Sequence, residues 1–249
     1  MEHNIKEQEQ KLFVRWREAV AKRDRKEIFV RDGLVNEKEW FASSPRMVFI
    51  LKEANDRNGR EFDLITDCLL NQPTATTWKN VARWSYGIQE LWHAGGVELP
   101  WRTVQDPKGA VGRGNWQKQL YPLCVMNLSK IPGGPRTNTA SLATKFSPFQ
   151  QCFAEQFGLY KEHADLVICC GDAVARLSLP VITRHVYGYT YQCGQGRQEE
   201  GGYWYYKITN GPYVISVPHP QASIRHEEMY GKLMYTVRII FEERFGGRA

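Results

Sequence analysis

Four short apolar runs, each followed by polar residues, constrain the fold of this 249-residue chain more than any other feature. The runs cover residues 47–51, 123–126, 166–170 and 213–217. A strand that is buried on both faces, as in a parallel sheet, is apolar at nearly every position. Patterns typical of helices separate or follow the runs, among them residues 77–92, 147–163 and 226–245. This alternation predicts a three-layer α/β/α fold around a central, mostly parallel, four-stranded sheet.

The chain shows no internal repeat and no composition shift that would mark a domain boundary, so we interpret residues 1–249 as a single domain. Apolar residues recur at helical spacing among the charges of residues 6–29, and we interpret residues 1–45 as an N-terminal helical extension. The first residues lack the pattern of a signal peptide. No apolar run approaches the ~20 residues that cross a bilayer. We therefore expect a cytoplasmic protein with no membrane partner.

Charge and cysteine content narrow the classes of partner and cofactor. The formal net charge is +6, from 33 Lys and Arg against 27 Asp and Glu, which permits a polyanionic partner without requiring one. The cysteines form no Cys-x-x-Cys pair and no zinc spacing with histidine; they lie at positions 68, 124, 152, 169, 170 and 193. We expect buried free thiols, no metal, no cofactor and no obligate protein partner.

Polar residues follow each apolar run at the point where the predicted strand ends. In open parallel sheets, binding sites form at this carboxyl edge. The residues in question are Glu53, Asn55, Asp56, Asn127, Asp172 and His219. His219 lies between two prolines, so its loop is rigid and has little entropy left to lose on binding. The edge is thus expected to carry carboxylates, carboxamides and an imidazole.

Three of these segments, taken in order, resemble motifs of the uracil-DNA glycosylase superfamily. Residues 49–55 (FILKEAN) resemble the first motif, a strand that enters a loop with an acidic or amide residue. Residues 125–128 (VMNL) resemble the middle strand, and residues 219–223 (HPQAS) resemble the final His-Pro loop. The resemblance spans about residues 45–225. It points to an atypical bacterial branch that lacks the iron–sulfur cysteines.

The resemblance implies a DNA glycosylase that hydrolyses the N-glycosidic bond of a base flipped out of double-stranded DNA. This cleavage builds positive charge on the sugar and negative charge on the leaving base. By resemblance, Glu53 is the carboxylate beside the sugar, although Asp56 competes for that role. Asn127 reads the base and His219 stabilises the leaving anion. Lys52 invites a Schiff-base lyase step, but a lysine at a strand end is usually solvated, so we expect a monofunctional enzyme that leaves an abasic site.

Two loops are expected to contact DNA. By resemblance, Ser223 contacts a phosphate, and Ile224 or Arg225 fills the space that the flipped base leaves. Lys130 and Arg136 flank two glycines, whose main-chain N–H groups can approach phosphates closely. An ordinary surface turn is the alternative interpretation of this second loop.

The segment after the first motif bears on the choice of substrate. The best-known uracil enzymes carry an aromatic ring there, which blocks substituents at C5 of the base, whereas residues 55–59 (NDRNG) are small and polar. We therefore expect a 5-substituted cytosine, with Asn55, Asp56 and Asn58 available to hydrogen-bond its substituent. Glucosylated hydroxymethylcytosine of phage DNA is one such base, and an anti-phage defence role would follow. The alternatives are a uracil-DNA glycosylase of base-excision repair, a non-catalytic DNA-binding protein of the same fold and a small-molecule nucleoside hydrolase.

Overall fold

The computed structural model describes residues 4–55, 59–71, 76–112, 114–134, 138–192 and 194–246, without the side chain of Leu70. The strands are β1 (Val30–Arg31), β2 (Gly33–Leu34), β3 (Met47–Leu51), β4 (Phe62–Asp63), β5 (Leu123–Asn127), β6 (Leu166–Cys170), β7 (Tyr205–Lys207) and β8 (Tyr213–Val217). The α-helices are α1 (Ile5–Arg23), α2 (Glu37–Ala42), α3 (Thr76–His93), α4 (Trp101–Val104), α5 (Thr139–Phe146), α6 (Gln150–Gly158), α7 (Asp172–His185) and α8 (His226–Phe245). A π-helix spans Leu64–Leu70, and short 3-10 helices span Trp116–Leu120 and Ser147–Phe149.

A mostly parallel sheet forms the centre of the fold, as the alternation of apolar runs and helices predicts. Within the described ranges it contains six strands in the order β2-β5-β3-β6-β8-β7. The four inner strands are parallel to one another, and β2 and β7 pair antiparallel at the two edges. The predicted count of four strands is therefore too low. Edge strand β2 is only two residues long, too short for a run of apolar residues to reveal it. Edge strand β7 lies within residues 203–208, whose aromatic run before the turn at 210–212 predicts a strand paired with residues 213–217.

Helices cover both faces of the sheet. Phe49 and Leu51 of β3 belong to a buried cluster with α3 and α8, whereas Val48 and Ile50 belong to a second cluster with α1, α5, α6 and α7. Successive side chains of a strand point to opposite faces. Both faces of β3 are therefore sealed by apolar packing, which explains why every residue of that strand is apolar.

The N-terminal segment contributes to the sheet as well as to a helical layer. Helix α1 buries Phe13, Trp16 and Val20 in the second cluster. The segment also contains β1 and β2, and β2 pairs with β5. Residues 1–45 are thus more than the helical extension that their sequence predicts. None of the helices described is both long and apolar enough to cross a lipid bilayer.

The described cysteines form no disulfide bond, as expected. Four of them are buried, namely Cys68, Cys124, Cys169 and Cys170, whereas Cys152 is half-buried. Cys193 lies outside the described residues.

Candidate functional site

The pairing of the inner strands brings the predicted site residues to one edge of the sheet. Glu53 follows β3 by two residues, Asn127 ends β5 and His219 follows β8 by two residues. Backbone pairing continues past the strands, since Ser129 N–H donates to Lys52 O at 3.0 Å and Gly171 N–H donates to Val217 O at 2.7 Å. These bonds extend the rigid sheet to the base of each loop.

The backbone of Asn127 is hydrogen-bonded at both its N–H and its carbonyl, whereas its side-chain nitrogen has no partner among the described residues. The residue is 2% exposed. Its N–H donates to Asp32 Oδ2 at 2.7 Å, and its carbonyl accepts from Lys130 Nζ at 2.9 Å. The side-chain Nδ2 is buried and has no hydrogen-bond partner among the described residues. A buried donor without a partner costs free energy, so this amide is free to pair with a ligand.

A buried ion pair fixes the position of Asn127. Lys130 Nζ and Asp32 Oδ2 are 2.7 Å apart, and neither side chain is exposed. Gln156 Nε2 donates to the other carboxylate oxygen of Asp32 at 2.9 Å. The Lys130 ammonium also lies 4.8 Å from the ring centroid of Trp16. Burial raises the pKa of Asp32 and lowers that of Lys130, and the attraction between the two charges opposes both shifts.

This burial corrects the expectation that Lys130 contacts DNA. Its ammonium lies inside the protein and is already bonded to Asp32 and to the carbonyl of Asn127. The residue positions the end of β5 instead of meeting a phosphate. A loop rich in glycine and proline predicts an exposed lysine. The burial of Lys130 depends on Asp32, which lies 98 residues away in the sequence and gives no local signal.

Glu53 is enclosed by a lysine and a glycine that the sequence did not reveal. Its side chain is 5% exposed, and Oε2 accepts from Lys145 Nζ at 3.0 Å. Lys145 also donates to Pro132 O at 3.0 Å. A Cβ built on Gly133 would lie 1.9 Å from Glu53 Oε1, so only glycine leaves room for the carboxylate. The Gly133 N–H donates to Ala54 O at 2.8 Å and joins the two loops.

Replacing Gly133 by alanine is expected to displace the Glu53 carboxylate from Lys145. The added methyl group would overlap Oε1 at the mobile end of the Glu53 side chain, so the carboxylate moves away and loses its bond with Lys145. A hydrogen bond between charged groups contributes about 1.5–3 kcal/mol. The matched control is Gly134→Ala, where a Cβ meets nothing within 4 Å. Urea denaturation of both variants measures the difference. Equal stability of the two would contradict the close packing of Gly133 against Glu53.

His219 presents a defined tautomer. Its Nδ1 accepts from the Gln221 N–H at 3.2 Å, so the proton of the neutral ring sits on Nε2. Burial and, to a smaller extent, the charge of Lys52 lower the pKa of His219 from 6.5. The ring is therefore neutral at pH 7. Asn80 Nδ2 on α3 donates to Pro220 O at 2.7 Å and fastens the loop.

Replacing Lys52 by methionine is expected to raise the pKa of His219. The positive charge of Lys52 disfavours protonation of the imidazole, so its removal leaves burial alone to depress the pKa. Titration of the His219 ring by NMR, with the signal assigned through His219→Gln, measures the shift. Lys232→Met, which removes an exposed charge on α8, is the matched control. A His219 pKa that is the same in both variants would contradict the contribution of Lys52.

The remaining predicted site residues fall into two groups. Asn55 is exposed and forms a backbone bridge with Gly133. The loop between β8 and α8 exposes Ser223, Ile224 and Arg225, and Ile224 is 38% exposed. Asp56, Asn58 and Arg136 lie outside the described residues.

Within the part of the chain that the structure describes, no three His, Cys, Asp or Glu side chains form a group that could hold a metal ion. No family model matches the chain, and no curated protein matches it either. The arrangement of the site therefore carries the functional argument. It joins a buried carboxylate, a buried carboxamide with a free donor and a neutral imidazole at one sheet edge.

Proposed function

We propose that this protein is a monofunctional DNA glycosylase of the uracil-DNA glycosylase type, which hydrolyses the N-glycosidic bond of a flipped-out modified pyrimidine. The free, buried Nδ2 of Asn127 is the observation that carries this proposal. The order β5-β3-β6-β8 of the parallel strands supports it. Asn127 ends β5 and Glu53 follows the neighbouring β3, while His219 follows β8, which is separated from β3 by β6 alone.

Asn127 reads the pairing edge of the base. A carboxamide offers one acceptor and two donors, and rotation of the amide exchanges them. Because Nδ2 is buried, a base that fails to pair with it leaves the donor unsatisfied, which penalises the wrong base. The ion pair of Asp32 with Lys130 holds the backbone N–H and carbonyl of Asn127, which fixes the point where its side chain leaves β5.

Glu53 and His219 stabilise opposite charges in the transition state. As the C1′–N bond breaks, its electron pair leaves with the base and positive charge develops on the sugar. Glu53 stabilises that sugar, and the oxygen of a water molecule then bonds to C1′. Neutral His219 donates from Nε2–H to the leaving base. The water that bonds to C1′ releases one proton to the solvent, and the solvent supplies one proton that neutralises the base. The product is an abasic site.

The proposed substrate is a 5-substituted cytosine, such as glucosylated hydroxymethylcytosine of phage DNA, which implies anti-phage defence in the cytoplasm. Residues 55–59 carry no aromatic side chain that would close the pocket beside C5. The exposed Ser223, Ile224 and Arg225 are proposed to contact the DNA. Uracil excision in base-excision repair is the second candidate, because the Asn127 amide also matches uracil after rotation.

Base release from a panel of DNAs tests the proposal. The panel contains uracil, hypoxanthine, unmodified, hydroxymethylated and glucosylated DNA, and alkali cleavage reveals abasic sites. We expect release from glucosylated DNA. Glu53→Gln is expected to abolish it, and full activity of that variant would move the carboxylate role to Asp56. Binding of DNA without any abasic site would favour the non-catalytic alternative.

A further inference from the structure

A cavity lies beside α3, lined by none of the residues assigned to base release. Its volume is about 450 Å³, within the range of small-molecule sites. The lining combines Lys79 and Arg83 with Gln105, Trp116 and Gln117. Among the described residues that line it, Lys79 and Arg83 carry the charges, and both are cations. They stand four residues apart on α3, so they share one face of the helix.

Arg83 carries a charge that the described residues do not balance. Its Nη1 donates to Asn80 Oδ1 at 2.9 Å, and its guanidinium carbon lies 5.3 Å from the ring centroid of Trp101. Its Nε is buried and has no hydrogen-bond partner among the described residues. Burial lowers its pKa, and no carboxylate in the described part of the chain offsets that effect. An arginine nevertheless stays protonated in proteins, so the cavity wall carries a partly desolvated cation with a free donor.

We propose that this cavity binds the phosphate group of a nucleotide, with Arg83 and Lys79 as its ligands. A guanidinium fork and an ammonium are the two side chains that proteins use most to bind phosphate. Partial burial strengthens their attraction to an anion. The cavity exceeds the size of phosphate alone, and the amides of Gln105 and Gln117 can bond the attached sugar or base.

The phosphate can come from a free nucleotide or from a DNA strand. Asn80 connects the cavity to the proposed site, because it accepts from Arg83 and donates to Pro220 O beside His219. A strand phosphate bound here would lie next to the loop that holds the leaving base. Binding of a DNA phosphate rests on the proposed glycosylase function, whereas binding of a free nucleotide does not.

Two arms of one experiment distinguish the sources. The first measures binding of 2′-deoxycytidine 5′-monophosphate by calorimetry, with deoxycytidine as the probe without phosphate. The second measures binding of a short DNA duplex at several salt concentrations. Arg83→Gln is compared with Arg102→Gln, which removes an exposed positive charge from α4. Lys79→Gln is the second cavity variant, in case the loss of Arg83 from Trp101 impairs folding.

The cavity variants are expected to weaken phosphate binding at least about tenfold, since a charge-assisted hydrogen bond is lost. A loss confined to the monophosphate identifies a free nucleotide as the ligand. A loss of affinity confined to DNA identifies a strand phosphate. The slope of log affinity against log salt concentration is then shallower by about 1. If the cavity variants match Arg102→Gln in both arms, or if no wild-type binding is detected, the inference is wrong. Base release is measured separately, so failure of the glycosylase proposal remains distinguishable.

Discussion

Replacing Asp32 by alanine is expected to lower the free energy of unfolding by about 3–5 kcal/mol, the cost of leaving a buried charge without its partner. The substitution leaves the Lys130 ammonium, whose side chain is fully buried, without its negatively charged partner. It also removes the acceptor of the Asn127 N–H and of Gln156 Nε2. Three hydrogen-bond donors lose their shared acceptor at once. The decrease in the free energy of unfolding is therefore far larger than the decrease on removing a surface ion pair.

Urea denaturation of two matched variants tests this expectation. Asp172→Ala removes the same type of side chain from an exposed pair with Arg176 at 2.7 Å, and such pairs contribute about 0–1 kcal/mol. The double variant Asp32→Ala/Lys130→Met removes both charges of the pair and is expected to recover part of the stability. If Asp32→Ala costs no more than Asp172→Ala, the buried pair does not hold the end of β5.

The regular elements could be predicted because burial dictates their composition. The apolar runs coincide with β3, β6 and β8 and stop one residue short in β5, since strands covered on both faces are apolar at nearly every position. The helical pattern of residues 77–92 differs by one residue at each end from α3. Strands of two residues, such as β1 and β2, have no pattern, because their pairing depends on the tertiary fold.

Only those site residues that lie at or just after the end of a strand could be predicted from the sequence. Glu53, Asn127 and His219 follow apolar runs, and parallel strands bring such residues to one edge. The partners of those residues carry no local signal. Lys145 lies 92 residues from Glu53, and Asp32 lies 95 residues from Asn127. No periodicity connects positions so far apart, and for the same reason the burial of Lys130 was not foreseen.

Replacing His219 by alanine is expected to lower the rate of base release by about 10²–10³-fold, the usual cost of losing one donor that stabilises a developing anion. Gln221 N–H donates to Nδ1, so the neutral ring keeps its proton on Nε2 for the leaving base. The matched control is His185→Ala, which removes an exposed imidazole at the end of α7. Single-turnover rates on the DNA that the panel identifies measure the effect.

The pH dependence of the same rate distinguishes a neutral donor from a general acid. Protonation would place a hydrogen on Nδ1, where it would face the Gln221 N–H. Because the pKa of His219 is lowered from 6.5, the neutral ring predominates at neutral pH and the protonated ring only at lower pH. We therefore expect a rate that is highest at neutral pH and falls as the pH is lowered through the pKa of His219. A rate that rises as His219 becomes protonated would instead identify it as an acid that transfers its proton to the base.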